Sequence, residues 1–206
     1  MQASPPTVFQ RLDRSASRPY SGREYAGRML WQLVERTLFR CSFPRAYGWR
    51  AWLLRRFGAR LGTPAAIRRT VRIWHPWLLN MADFSMLGDD VQVYNLGEVF
   101  VGRHTIVSQG AFLCAGTHDY TRPDLPLLKL PIRLGDGVWI AAQAFIGPGV
   151  SIGDNSVIGA RAVVVSDVPA GVVAAGNPCR VIKAREMVDG NPNDETRIPE
   201  SNPNDE

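Results

Sequence analysis

Apolar positions follow two different rhythms along the 206-residue chain. From Glu24 to about Arg40, Met29, Leu30, Leu33, Val34, Thr37 and Leu38 recur at helical spacing, and Pro44 ends that run or opens the next. A second run puts Trp49, Trp52, Leu53, Phe57 and Leu61 on one side and Arg50, Arg55, Arg56 and Arg60 around the rest, closing near Gly62 and Pro64. Both runs predict amphipathic helices.

After Thr63 a step of six replaces the helical period. Leu134, Ile140, Ile146, Ile152, Ile158 and Val164 hold one phase, followed in turn by Gly135, Ala141, Gly147, Gly153, Gly159 and Val165. In a chain that is 45% hydrophobic, six apolar hits in one frame arise by chance on the order of 1% of the time. The same register runs earlier as Val101, Val107 and Leu113, and before a two-residue insertion as Met81, Leu87 and Val93. Between Leu113 and Leu134, residues 119–133 exceed one repeat and carry Pro123, Pro126 and Pro131, so they must leave the array as a protruding loop.

A six-residue unit is a short strand and a tight corner. The aliphatic residue and the residue four later (Val138, Ala144, Val150, Ser156, Ala162) share parity and point inward. Glycine after the aliphatic position reads as relief where the backbone turns. Three units close a triangular coil, and stacked coils satisfy one another's backbone hydrogen bonds around an aliphatic column, giving a β-helix. Periodicity leaves the hand open, and the general preference for right-handed crossovers suggests a right-handed coil.

Charge divides the chain. Residues 1–80 hold fifteen Arg, no Lys and three acids, whereas residues 81–206 hold nine bases and sixteen acids. The basic, aromatic-bearing first part suits anionic lipid headgroups, an acidic neighbour or nucleic acid, and composition selects none of these. Cys41, Cys114 and Cys179 are odd in number and lack metal or redox spacing, which argues against a disulfide framework or a zinc site and for a reducing compartment. The first twenty residues lack an apolar signal core, and no run suffices for a spanning helix, so a cytoplasmic protein is expected. The divisions expected are a flexible arm (1–22), helices (23–63), the β-helix with its loop (64–176), a C-terminal extension (177–188) and an acidic, disordered tail in which NPNDE occurs twice (189–206).

The block LGDGVWIAAQAFIGPGVSIGDNSVIGARAVVVSDVPAGVVAAGNPCRVIK (134–183) resembles the hexapeptide-repeat acetyltransferases, among them the maltose, galactoside and nodulation-type enzymes. WRAWLLRRFGARLG, WHPWLLNMADFSMLGDDVQVYNL and VSQGAFLCAGTHDYTRPD extend the likeness, over about residues 25–185, to the acetyltransferases of colanic-acid-type exopolysaccharide biosynthesis. The resemblance implies an all-β solenoid, a left-handed parallel β-helix with an N-terminal helical segment. It also implies a homotrimer with sites between subunits, and transfer of acetyl from acetyl-CoA to a saccharide hydroxyl without a metal.

Such a transfer needs a base, and histidine has the suitable pKa. Of His75, His104 and His118, parity turns His118 outward at the mouth of the loop, where the family keeps its catalytic histidine. Asp119 either orients that imidazole or caps the loop. Asn95, one coil earlier, either contacts the acceptor or fills a corner. The resemblance further places Ala142 and Ala160 on the pantetheine arm through their backbones, Arg180 and Lys183 near the nucleotide phosphates, and Trp139 beside the arm or on a subunit interface. Relatives carry Thr-Lys before Asp-Val-Pro. Here Val165 and Ser166 precede Asp167, so one cationic contact to CoA is missing. The competing readings are N-acetylation of an amino sugar, a non-catalytic β-helix binding module and a zinc carbonic anhydrase on the same coil. The last requires histidines closer than the fourteen positions between His104 and His118. The Arg-rich helices either pack on the coil or rest on the inner face of the membrane; nucleic acid is not an expected partner.

Overall fold

The computed structural model describes residues 9–11, 13 and 20–188; the expected arm falls largely outside these residues and the expected tail wholly so. Three parallel sheets form the faces of a triangular prism. The first face comprises β1 (Arg60–Leu61), β4 (Leu79–Met81), β7 (Val99–Val101), β12 (Ile132–Leu134) and β15 (Ser151–Ile152). The second comprises β2 (Ala65–Ile67), β5 (Ser85–Leu87), β8 (Ile106–Val107), β13 (Trp139–Ile140), β16 (Val157–Ile158) and β18 (Val172–Ala175). The third comprises β3 (Arg72–Ile73), β6 (Gln92–Tyr94), β9 (Phe112–Cys114), β14 (Phe145–Ile146) and β17 (Val163–Val164). A last strand, β19 (Arg180–Ala184), returns antiparallel along β18.

The register matches the six-residue phase: Val101 pairs with Leu134, Val107 with Ile140, and Leu113 with Ile146. These residues, with Ile152, Ile158 and Val164, are buried in one column, and Val138, Ala144, Val150, Ser156 and Ala162 are buried beside them. The array begins earlier than expected. Leu61, assigned by period to the second helix, lies in β1, and Ile67 and Ile73 complete a first coil.

The glycine after each aliphatic residue has a different role from the one expected. The left-handed backbone falls two residues further on, at Gln143, Asn155 and Arg161 as well as at Gly137 and Gly149. Gly135 instead permits close stacking of coils, because a Cβ there would overlap Asp154 Oδ1, which accepts the Asp136 N–H at 2.8 Å.

Helix α1 (Gly22–Val34) starts at a capping box between Ser21 and Glu24 and runs into a π-helical turn, Glu35–Phe39. Its buried contacts come from Trp31 and Phe39, while Met29, Leu30, Leu33 and Leu38 are exposed, so the predicted apolar stripe faces away from the coil. Trp31 Nε1 donates to the Ile73 carbonyl at 2.6 Å and Ile73 N–H donates to Glu35 at 2.9 Å, capping the edge of the third face. Helix α2 (Tyr47–Arg56) buries Leu53 and Leu54, leaving Trp49 and Trp52 stacked and partly exposed. Arg50, expected on the polar side, is fully buried. Its guanidinium donates to the carbonyls of Ile67, Phe43 and Pro44 and to Ser42 Oγ at 2.6–2.9 Å.

Candidate active site

Between the third and fourth coils the chain leaves the prism as a hairpin, β10 (Gly116–His118) against β11 (Leu127–Lys129). It departs before the expected 119–133 loop, since Gly116–His118 already form β10 and Thr117 is only partly buried. His118 ends β10, exposed, opposite Leu127. The hairpin leans over a cleft of about 520 Å³. Trp74, Tyr94 and Leu96 from the prism form one wall; His118, Leu125, Leu127 and Lys129 form another; Tyr20 and Arg28, at the start of the helical segment, close it.

His118 Nδ1 lies 2.7 Å from the Leu125 carbonyl. A carbonyl only accepts, so the proton of the neutral ring sits on Nδ1 and Nε2 is left as the basic nitrogen. Asp119 does not supply that contact. Its Oδ1 accepts from Thr121 N–H at 3.0 Å and Thr121 Oγ1 at 2.6 Å, a turn-capping arrangement that lowers its pKa, chiefly through the Thr121 hydroxyl.

Asn95 does not line the cleft. It is fully buried, its amide oxygen accepting the His75 N–H at 2.9 Å and its amide nitrogen donating to the His75 carbonyl at 2.6 Å. His75 Nδ1 lies 2.9 Å from the Asn95 carbonyl in return, and His75 is itself buried beneath Tyr20. The two residues act on the site by fixing the corner that carries Trp74 and Tyr94. His104 is elsewhere, stacked on Phe84.

The residues expected to face the donor lie apart from His118 within one chain. Ala142 and Ala160 occupy successive levels of the corner between the second and third faces, and among the described residues neither N–H meets a hydrogen-bond acceptor. His118 springs from the corner between the third and first faces. Trp139 is half exposed on the second face, its Nε1 donating to Ser108 Oγ at 2.9 Å. Arg180 and Lys183 are exposed on β19, next to that face. Val165 is exposed. Among the described residues no three His, Cys, Asp or Glu side chains are grouped to hold a metal ion.

Tyr20, Arg28, Trp74, Tyr94 and Lys129 were not singled out by sequence. For two of them a signal exists: Trp74 and Tyr94 follow the inward Ile73 and Val93, at the position where most repeats carry Gly, Ala or Ser.

Coils of this period with a histidine-bearing hairpin define a class, and the comparisons agree with it. The bacterial transferase hexapeptide (six repeats) family matches residues 131–166. The Escherichia coli (strain K12) protein named "Putative colanic acid biosynthesis acetyltransferase WcaF" is 44% identical over 156 residues, 76% of this chain and 86% of that one. The chain therefore belongs to the hexapeptide-repeat acetyltransferases. A maltose O-acetyltransferase from Clostridium difficile 630 superposes with a TM-score of 0.74 at 27% identity, over 81% of this chain and 90% of that chain. A galactoside acetyltransferase in complex with coenzyme A does so with a TM-score of 0.70 at 27% identity, over 82% and 86%. The fold is thus the left-handed parallel β-helix expected from the resemblance.

Proposed function

We propose that the protein is an acetyl-CoA-dependent O-acetyltransferase acting on a saccharide hydroxyl in exopolysaccharide or cell-surface glycan biosynthesis. The observation that carries this reading is His118: its Nδ1 is spent on Leu125, and its ring lines a cleft walled by aromatic side chains. Aromatic faces suit the C–H faces of a sugar ring, and a coenzyme A complex among the superposing structures supports the donor.

Nε2 takes the proton of the acceptor hydroxyl as its oxygen attacks the thioester carbonyl. The tetrahedral intermediate then collapses, the C–S bond breaks, and the departing CoA sulfur receives that proton from the imidazolium. The free N–H groups of Ala142 and Ala160 suit an extended pantetheine arm, which pairs with the corner as an added strand would. One chain cannot present that corner and His118 to the same thioester, since the third face separates them. A three-fold assembly places the corner of one copy against the hairpin of the next.

The test is thiol release from acetyl-CoA over a panel of mono-, oligo- and lipid-linked saccharides. His118→Ala is expected to slow transfer by about 10²- to 10⁴-fold. Transfer to amino sugars alone would shift the reading to N-acetylation, and equal rates with and without His118 would remove the mechanism.

A second observation concerns location. No helix among the described residues is long and apolar enough to cross a membrane. Met29, Leu30, Leu33, Leu38, Phe43 and Trp52 are nevertheless more than half exposed on one helical segment that also exposes Arg36, Arg40, Arg45 and Arg56. An apolar groove of about 620 Å³ opens between the π-helical turn and Trp49. Exposed apolar side chains interspersed with arginine suit an anionic bilayer surface, and this segment is read as a peripheral membrane contact. Flotation with anionic liposomes should fall for Leu30→Asp/Leu33→Asp and for Arg36→Gln/Arg45→Gln/Arg56→Gln. Flotation equal to wild type overturns the reading, and a mass twice that of the trimer would assign the face to a second copy.

A further inference from the structure

The cleft beside His118 is more cationic than acetyl transfer to a neutral sugar requires. Arg28 Cζ lies 4.6 Å and Lys129 Nζ 4.5 Å from the centre of the Tyr20 ring. Among the described residues no carboxylate oxygen comes within 4.0 Å of either cation. The nearby Glu24 is committed to its cap, accepting from Ser21 N–H at 2.7 Å and Ser21 Oγ at 2.9 Å. Two positive groups thus approach the same aromatic ring and line the same cleft, with their hydrogen-bond donors unspent on acids among the described residues.

The position of Lys129 relative to the base is set by the hairpin, and Arg28 reaches the same cleft from helix α1. Leu127 faces His118 across the ladder, and Lys129, two residues on, shares its side and lines the same cleft. Diagonal neighbours in such a ladder stand about 7–8 Å apart at the backbone, so His118 and Lys129 both lie within reach of one saccharide in the cleft.

We propose that Arg28 and Lys129 form an anion subsite, so that the acceptor is an acidic saccharide presenting a carboxylate or phosphate to them while its hydroxyl meets His118. The proposal rests on the saccharide O-acetyltransferase reading and narrows its substrate class. Tyr20 is the positioning residue of the pair, its ring in contact with both cations.

The test uses the full chain saturated with CoA, so that the donor's own phosphate site is filled. Ligand-observed NMR measures dissociation constants for glucuronic acid, glucose 1-phosphate and glucose. At least one anion is expected to bind about 10- to 100-fold more tightly than glucose, with Arg28→Gln and Lys129→Gln each removing most of that preference. Preference for glucuronic acid alone identifies a uronate, and preference for glucose 1-phosphate alone identifies a phosphate ester. Arg28→Lys, which keeps the charge, should restore part of the preference, and unchanged melting temperatures exclude misfolding as the cause. Equal affinity for all three ligands in the wild type, or a preference untouched by both Gln variants, overturns the subsite. Thiol release separates the two readings. Transfer to glucose as fast as to either anion sinks the subsite and leaves the transferase standing. Anion-selective binding with transfer to no saccharide sinks the transferase and leaves the subsite standing.

Discussion

His75 and Asn95 form a buried polar pair beneath the cleft. Burial pushes the His75 pKa below its ordinary 6.5, and among the described residues Nε2 has no partner to receive a second proton's bond. The folded state therefore resists protonation while the unfolded chain takes up a proton as pH falls through 6.5. The stability tied to His75 is full above that value and is lost below it, toward the lowered folded pKa. The melting temperature should drop between about pH 7 and pH 5, and His75→Gln, which cannot titrate, should flatten that slope. Ser166 offers a second test, being exposed just before Asp167, where the resemblance to the family implies a lysine. Ser166→Lys should tighten CoA binding about fivefold by calorimetry, and an unchanged dissociation constant would show that this corner does not face the phosphates. At this scale legibility was uneven. The exposure of His118 was expected from the six-residue phase, but it is the hairpin strand β10, outside the array, that carries the residue. Asn95 was not legible, because its side chain is consumed by a backbone twenty residues away, which no local pattern records. Trp74 and Tyr94 were legible in principle, as bulky side chains where the repeat is otherwise small.

The coils and the helices differ as elements in how firmly sequence specifies them. Each inward position of a coil meets the same environment above and below, so the six-residue step, restarted after the insertion and after the hairpin, predicts burial from Met81 to Val164. A helix carries no such template. The stripe of Met29, Leu30 and Leu33 marks an apolar face but not its partner, and here the coil takes Trp31 and Phe39 instead. Arg50 was misplaced for a related reason, since helical position alone does not reveal three carbonyls waiting at Ile67, Phe43 and Pro44. Removing its guanidinium takes away all four of its hydrogen bonds, including the buried one to the Ile67 carbonyl. Arg50→Leu should therefore destabilise the fold by about 3 kcal/mol or more in urea unfolding, whereas exposed Arg56→Leu should change it by less than about 0.5 kcal/mol.

For the whole molecule, the separation of His118 from Ala142 and Ala160 makes catalysis a property of the proposed assembly. A trimer of 22.8 kDa chains is expected by light scattering, and a monomer would remove the shared-site mechanism. His118→Ala and Ala160→Trp, each inactive alone, should regain transfer when co-expressed, because some interfaces then pair an intact hairpin with an intact corner. The hairpin has a consequence of another kind. It exits after Cys114 and re-enters at Ile132, while the coils on either side keep their pairing, Leu113 with Ile146 and Val101 with Leu134. Residues can be gained, lost or exchanged within it without disturbing the stack. Descendants of such a chain are free to reshape the cleft by rewriting the residues between Cys114 and Ile132, while inheriting the stacked coils untouched.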